Sequence, residues 1–228
     1  MLKILKFTFG AICTINVWAM DNSQWLYDFS VFAGYGYFDY HGINDQLDTY
    51  HNMDGITYLP NTGFEFEYRS MNFIAKNQLS FSYNTYEKNN LRRAGKLTFW
   101  DAQYQLKAGY AILNNPYIRF FPFAGFLAQY QSIKADFNYI IQYYKCFFKY
   151  KHSYSNITLG ILYGLSCELS LPLKINILKN IKVGFDVGWN IPLENKKWWI
   201  DNREIDYPEY APESNFRYFW DLKIIYHL

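Results

Sequence analysis

Several things are scarce in this chain, and each scarcity removes a class of protein. Three cysteines in 228 residues do not make a disulfide scaffold, and Cys13 lies near the start, which leaves only Cys146 and Cys167. Charge of one sign is not in excess: 22 basic residues against 20 acidic ones give +2. There is no basic stripe of the kind that displaces counterions, so no nucleic-acid partner is expected. No uncharged run reaches the ~20 residues that a membrane-crossing helix needs, which excludes a helical membrane protein. Disordered chains are poor in aromatics, whereas 22% of this one is aromatic, with 23 Tyr, 20 Phe and 7 Trp. Half of the residues are apolar, yet the mean hydropathy is -0.23. Tyrosine in such excess suits a surface that meets both apolar matter and water.

The first residues have the layout of a secretory signal. Lys3 and Lys6 precede an apolar stretch over residues 7–17, and Val17-Trp18-Ala19 places small residues at the two positions a signal peptidase reads. Cleavage after Ala19 is predicted, which divides the chain into a signal over 1–19 and one domain over 20–228.

Beyond the signal, the dominant pattern is strict alternation, the mark of strands with one apolar face. It begins with Trp25, Tyr27, Phe29, Val31, Ala33, Tyr35 and Tyr37 against Asp28, Ser30, Gly34 and Gly36. It recurs at Phe64, Phe66 and Tyr68, at Leu79, Phe81 and Tyr83, and from Trp100 to Tyr110. Further runs cover residues 117–131, 157–171, 181–191 and 216–228, making eight strands in all. Their connections read as long near 39–59, short near 70–77, medium near 87–96, short at 114–116, long at 132–152, short near 172–179 and long at 193–214. Short turns at one end and long loops at the other are the arrangement of an outer-membrane barrel. Strands that exceed the usual ~5–6 residues point the same way.

The expected fold is therefore all-β: a closed, eight-stranded, antiparallel, up-and-down transmembrane β-barrel. Hydrocarbon forbids an open sheet edge, so the first and last strands must pair. Trp25, Tyr37, Tyr68, Trp100, Tyr110, Tyr130, Trp189 and Tyr226 then fall near the two interfaces. The inward set contains Asp28, Glu65, Glu67, Arg69, Asp101, Lys107, Arg119, Glu168, Lys182, Asp186, Arg217, Asp221 and Lys223. Both signs are present, so mutual neutralisation in a buried network is expected, with Phe99, Phe121 and Phe123 filling space.

At this level the chain resembles the small eight-stranded outer-membrane proteins of Gram-negative bacteria, such as the transmembrane domain of OmpA. The resemblance covers nearly the whole of 20–228 and rests on pattern. Its most specific element is the last strand, residues 220–228, with Tyr226 third from the end and Leu228 where such proteins carry a terminal aromatic. It implies location in the cell outer membrane, contact with its lipids and lipopolysaccharide, and recognition of the last strand by the barrel-assembly machinery.

A structural or surface-interaction (adhesin-like) role is the expectation; a lipid A-modifying enzyme or a small pore is the alternative. His152-Ser153-Tyr154-Ser155-Asn156 is loosely similar to the His-x-Ser-Asn element of lipid A deacylases. One extra residue puts His152 and Ser155 on opposite faces of a strand. His41 and His51, among Asp39, Asp45, Asp48 and Asp54, match no metal-ligand spacing. No catalytic, cofactor-binding or metal-binding residue is assigned, no cofactor is expected, and the protein is expected not to be an enzyme. Two stretches offer a surface for a partner: residues 139–150, and Trp198, Trp199, Tyr207 and Tyr210. For the first, period two through Phe137, Tyr139, Ile141 and Tyr143 equally allows strands that continue above the membrane.

Overall fold

The structure, a computed structural model, describes residues 26–39, 58–90, 93–141, 146–170, 180–194, 197–200, 203–206 and 215–228. Eight long strands build the wall: β1 (Leu26–Asp39), β2 (Tyr58–Ser70), β3 (Phe73–Asn90), β4 (Arg93–Tyr110), β5 (Ile118–Ile141), β6 (Cys146–Ser170), β7 (Ile181–Glu194) and β8 (Asn215–His227). Each pairs antiparallel with its chain neighbours, and β1 pairs with β8 from Asp28 opposite His227 to Asp39 opposite Asn215. The barrel is closed, as backbone chemistry in hydrocarbon requires. A short hairpin, Lys197–Ile200 with Arg203–Asp206, lies beside β6 at Tyr154 to Asn156, beyond the last β7 pair at Leu159.

Alternation sets the inside and the outside. Along β8, Phe219, Asp221, Lys223 and Ile225 are buried, while Trp220, Leu222, Ile224 and Tyr226 are exposed. The same inversion of soluble-protein logic holds on β1, β2, β4, β6 and β7, so the exposed belt is apolar and the enclosed axis is charged. This is the burial pattern of a barrel that crosses a membrane.

On β3 to β6 the pattern reverses partway along the strand. On β4, the outward residues from Trp100 to Tyr110 form the belt, and that span matches the ~9–11 tilted residues that cross hydrocarbon. Beyond Trp100 the outward positions become Thr98 and exposed Lys96, and the inward ones become buried Leu97 and Phe99. β5 turns over beyond Tyr130, with Ser132 and Lys134 outward and Ile133 and Ala135 inward. On β6, Ser153 and Ser155 face out while Tyr154 is buried. Trp100 and Tyr130, ring to ring at 5.4 Å, mark the level of the change. Above it the four strands stand in water as an ordinary amphipathic sheet, whose outer-face Lys96 and Glu87 form an exposed ion pair at 2.5 Å.

Several loops expected from the sequence are strands. β3 begins at Phe73 after a two-residue turn, where a connection over 70–77 was expected, because Ile74, Lys76 and Gln78 inward and Phe73 and Ala75 outward keep period two through a polar stretch. The connections expected at 87–96 and 132–152 are mostly ladder, with β3 paired to β4 as far as Asn90–Arg93 and β5 to β6 as far as Ile141–Cys146. Continuation of the strands, the second option for residues 139–150, is what the backbone of 139–141 and 146–150 does. Tyr68 points outward as expected of an interfacial ring, yet only 9% of it is exposed because Tyr27 packs on it edge-on at 5.5 Å. Arg217 sits where the β1–β8 register shifts, so its alternation is broken by a bulge. The predicted signal, Trp25, the first long loop with His41 and His51, the connection near 172–179, and Tyr207 and Tyr210 lie outside the described residues.

The turn between β2 and β3 carries the one described non-glycine residue with positive φ, Met71 at 54°. A left-handed conformation costs an L-residue with a Cβ roughly 1–2 kcal/mol, and a hairpin turn of this kind favours glycine there. Met71→Gly is therefore expected to raise the unfolding free energy of the refolded barrel by about 1 kcal/mol, read from its urea midpoint. Leu222, midway along the outward row of β8 and 54% exposed, tests the belt. Leu222→Arg should destabilise the bilayer-inserted barrel by ~2–4 kcal/mol, and a neutral effect in folding titrations into lipid vesicles would refute the lipid-facing assignment.

Candidate functional site

The interior of the barrel holds most of its distinctive chemistry. β-strand pairing places some like charges side by side, Asp186 opposite Asp221 and Lys76 opposite Lys107, and some opposite ones, Arg119 opposite Glu168 and Lys76 opposite Glu67, so neutralisation is shared between neighbouring strands and ties across the lumen. Lys76 on β3 donates to Glu168 on β6 at 3.0 Å. Lys107 on β4 donates to Asp186 on β7 at 3.2 Å. Lys223 on β8 donates to both Glu65 on β2 and Asp186 at 2.6 Å. Arg119 on β5 bonds Glu168 through Nε and Nη2, and its Nη2 lies 2.5 Å from Glu67 on β2 and 3.5 Å from Asp28 on β1. Glu67 is met by Arg119 and Lys76 as close ion pairs whose angles do not make hydrogen bonds. The ties from Lys76 to Glu168, from Lys107 to Asp186 and from Arg119 to Glu67 and Asp28 join opposite walls, so the axis at this level is blocked by side chains.

The surroundings of the ties are equally specific. Lys76 sits 4.7 Å from the centre of the Phe121 ring, and Lys107 lies 5.0 Å from Phe123 and 5.2 Å from Phe219. Each ammonium thus has carboxylates on one side and an aromatic face on another, which stabilises a desolvated cation. The rings fit because glycine lies beneath them: a Cβ on Gly188 would stand 2.7 Å from the Phe219 ring. Asp221 accepts from Asn61 and Gln78, and Gln78 in turn accepts from Lys107 at 2.5 Å.

At the end that carries Leu26 and Leu228, Asp28 is met by Arg69 and Lys182 at 3.5 and 3.3 Å and by the His227 imidazole at 2.5 Å. A hollow of about 420 Å³ opens here, lined by Arg69, Lys182, Arg119 and Glu168 among others. Asp28, Glu67 and Glu168 bring carboxylate oxygens within 4.8 Å of one another, a spacing that suits a metal ion. Arg119 and Lys76 already occupy the space between them, so this trio is an ion-pair knot.

The inward charges expected from the sequence are mostly where they were placed. Ten of them, from Asp28 through Lys223, are buried, Arg69 and Lys182 are half-buried at the mouth, and Arg217 has no described side chain. Phe99, Phe121 and Phe123 fill the interior. Lys76, the ammonium that ties β3 to β6, was missed because residues 70–77 read as a turn. The signal that finds it is Ile74, Lys76 and Gln78 at every second position. His152 and Ser155 lie on one continuous strand, β6, opposite Ala135 and Ser132, and His152 has no described side chain.

This geometry defines a class, the small eight-stranded outer-membrane barrel, and an apolar belt around a charged axis places the protein in an outer membrane. No protein-family model and no curated protein matches the chain. Among solved structures the fold is similar to that of Ail, the attachment invasion locus protein of Yersinia pestis, with 8% identity and a TM-score of 0.45 over 90% of this chain and 99% of that one. It is similar to a major outer membrane protein of Thermus thermophilus, with 13% identity and a TM-score of 0.49 over 89% and 99%. The outer membrane protease OmpT of Escherichia coli matches at 10% identity and a TM-score of 0.42 over 91% and 98%. These likenesses concern fold alone. They nonetheless overturn the expectation that the chain is not an enzyme: a protease shares this general build, so the fold leaves catalysis undetermined.

Removing one cation from the knot leaves its carboxylates buried and short of positive charge. Lys223→Met, which strips Glu65 and Asp186 of their shortest bonds, is expected to cost ~3–5 kcal/mol in urea unfolding. Adding Glu65→Gln and Asp186→Asn should recover most of that loss, which separates charge from packing.

Proposed function

We propose that the protein is a plugged outer-membrane barrel acting in adhesin-like surface interaction through the sheet that β3 to β6 raise above the membrane. The observation that carries this reading is a pair of backbone edges. β2 stops pairing with β3 at Ser82, so among the described residues β3 beyond Tyr83 is bonded only to β4. Among the described residues the ladder partner of β6 from residue 146 to 152 is β5 alone. Projecting edges of this kind accept a further strand from a partner. The cross-lumen ties favour this role over a pore.

The remaining expectations belong to the same reading. Residues 1–19 direct export and 20–228 form the barrel. The last strand, 220–228, is the part offered to the barrel-assembly machinery, and the belt contacts outer-membrane lipids and lipopolysaccharide.

Two measurements test the proposal. Purified protein in planar bilayers should show negligible conductance, and large stable steps would overturn the plug. Expressed on a bacterial surface, the barrel should promote adherence to host cells or extracellular matrix, and deleting residues 87–96 and 138–149 should abolish it while heat-modifiable gel migration persists. Adherence unchanged by the deletion removes the projecting sheet from the function.

A further inference from the structure

Between the ionic knot and the apolar residues above it, the inner wall of β3 to β6 carries two rows of polar residues with a single carboxylate among them. Ser82, Asp101, Gln131 and Asn156 are directly opposed across successive strands, and Ser80, Gln103, Gln129 and Thr158 form the adjacent row. Asp101 is wholly buried. Its Oδ2 accepts from Gln103 Nε2 at 2.7 Å and its Oδ1 from Gln129 Nε2 at 2.9 Å. Among the described residues no cation forms an ion pair with it, whereas Asp28, Glu65, Glu67, Glu168 and Asp186 each have at least one. Asp221, which also lacks a direct pair, takes a bond from Gln78, itself bonded to Lys107.

A second observation comes from the same two rows. Ser82 Oγ, Thr158 Oγ1 and both amide atoms of Asn156 are buried without a hydrogen-bond partner, and each residue is more than nine-tenths enclosed on the inward side of its strand. Buried polar atoms are rarely left unbonded, and a buried carboxylate is rarely left without a compensating charge. One unbalanced negative charge in a layer of hydroxyl and amide oxygens has the chemistry that hard cations select.

We propose that this layer holds one alkali-metal cation, bound by the Asp101 carboxylate together with oxygens of Ser82, Thr158 and Asn156. A single positive charge balances Asp101, and the unbonded oxygens supply the coordination. A proton on Asp101 cancels the charge but donates to only one oxygen, leaving the others orphaned. Phe99 and Ile133 close the layer from above and the ionic knot closes it from below, so the cation enters as the barrel assembles.

The test begins from urea-unfolded chain refolded into detergent micelles in sodium, potassium or choline chloride at one pH and ionic strength. Thermal unfolding is then followed by circular dichroism and gel migration. The expected result is a higher midpoint in one alkali salt than in choline, a difference that vanishes in Asp101→Asn and persists in Asp136→Asn, a change on the sheet above the membrane. Should Asp101→Asn fail to refold, Thr158→Val, which keeps the carboxylate, is expected to shrink the difference. Crystals grown in rubidium chloride should show an anomalous peak beside Asp101. Equal midpoints for the unaltered protein in all three salts overturn the proposal, as does a salt preference that survives both substitutions. Stability gained on acidification through Asp101, with no salt preference, assigns the charge to a proton and overturns it as well.

Discussion

In hydrocarbon a backbone amide finds no partner except another backbone group, and the rest of this molecule follows from that constraint. It forces the eight strands to close, through the β1–β8 ladder that runs from Asp28 opposite His227 to Asp39 opposite Asn215. Closure makes an inside, and period two gives half of every strand to it. The outer half must be apolar because lipid surrounds it, so polar and ionic residues are displaced to the axis. Once there they are desolvated, and the only stable arrangement is mutual neutralisation. Charge in this interior is thus a consequence of the wall as much as a feature in its own right.

Along β3 to β6 the same physics produces opposite patterns within one strand. Below Trp100 and Tyr130 the outward residues are apolar and the inward ones polar; above them the assignment is exchanged. The strand geometry does not change at that level, but the medium outside does. A uniform rule about which face is apolar fails on these strands, while a rule stated in terms of what each face touches holds throughout. The projecting sheet is in this sense a water-soluble element grown from a membrane one without a break in the ladder.

The sequence made the architecture legible because alternation is a strong signal where strands are long and both media are extreme. β1, β7 and β8 stand close to where their periodicity placed them, β6 ends where expected but begins well before it, and ten of the thirteen expected inward charges are buried. Legibility failed where composition masked period. Residues 70–77 looked like a turn because Asn72, Lys76 and Asn77 are polar, which hid Lys76. The start of residues 132–152 reads as a loop because Ser132, Lys134 and Asp136, which face outward, are polar, as the outward residues of a strand in water must be. Pairing across the lumen was beyond reach, since no local pattern reveals that Lys107 meets Asp186 or that Asp101 meets only amides. The expectation that the chain is not an enzyme goes beyond its residues, because an absence of recognised motifs is not an absence of chemistry, and catalysis is left undetermined by the fold.

The contact between Lys223 and its two carboxylates has a consequence for biogenesis. Glu65 lies on the second strand and Asp186 on the seventh, and their shortest shared ammonium arrives only with the eighth. A nascent chain that stops before that point lacks more than a stave of the wall: it leaves anions at the axis short of a counter-charge. The interior therefore rewards completion late and all at once, and a truncated product is marked by electrostatic imbalance as well as by its exposed seam.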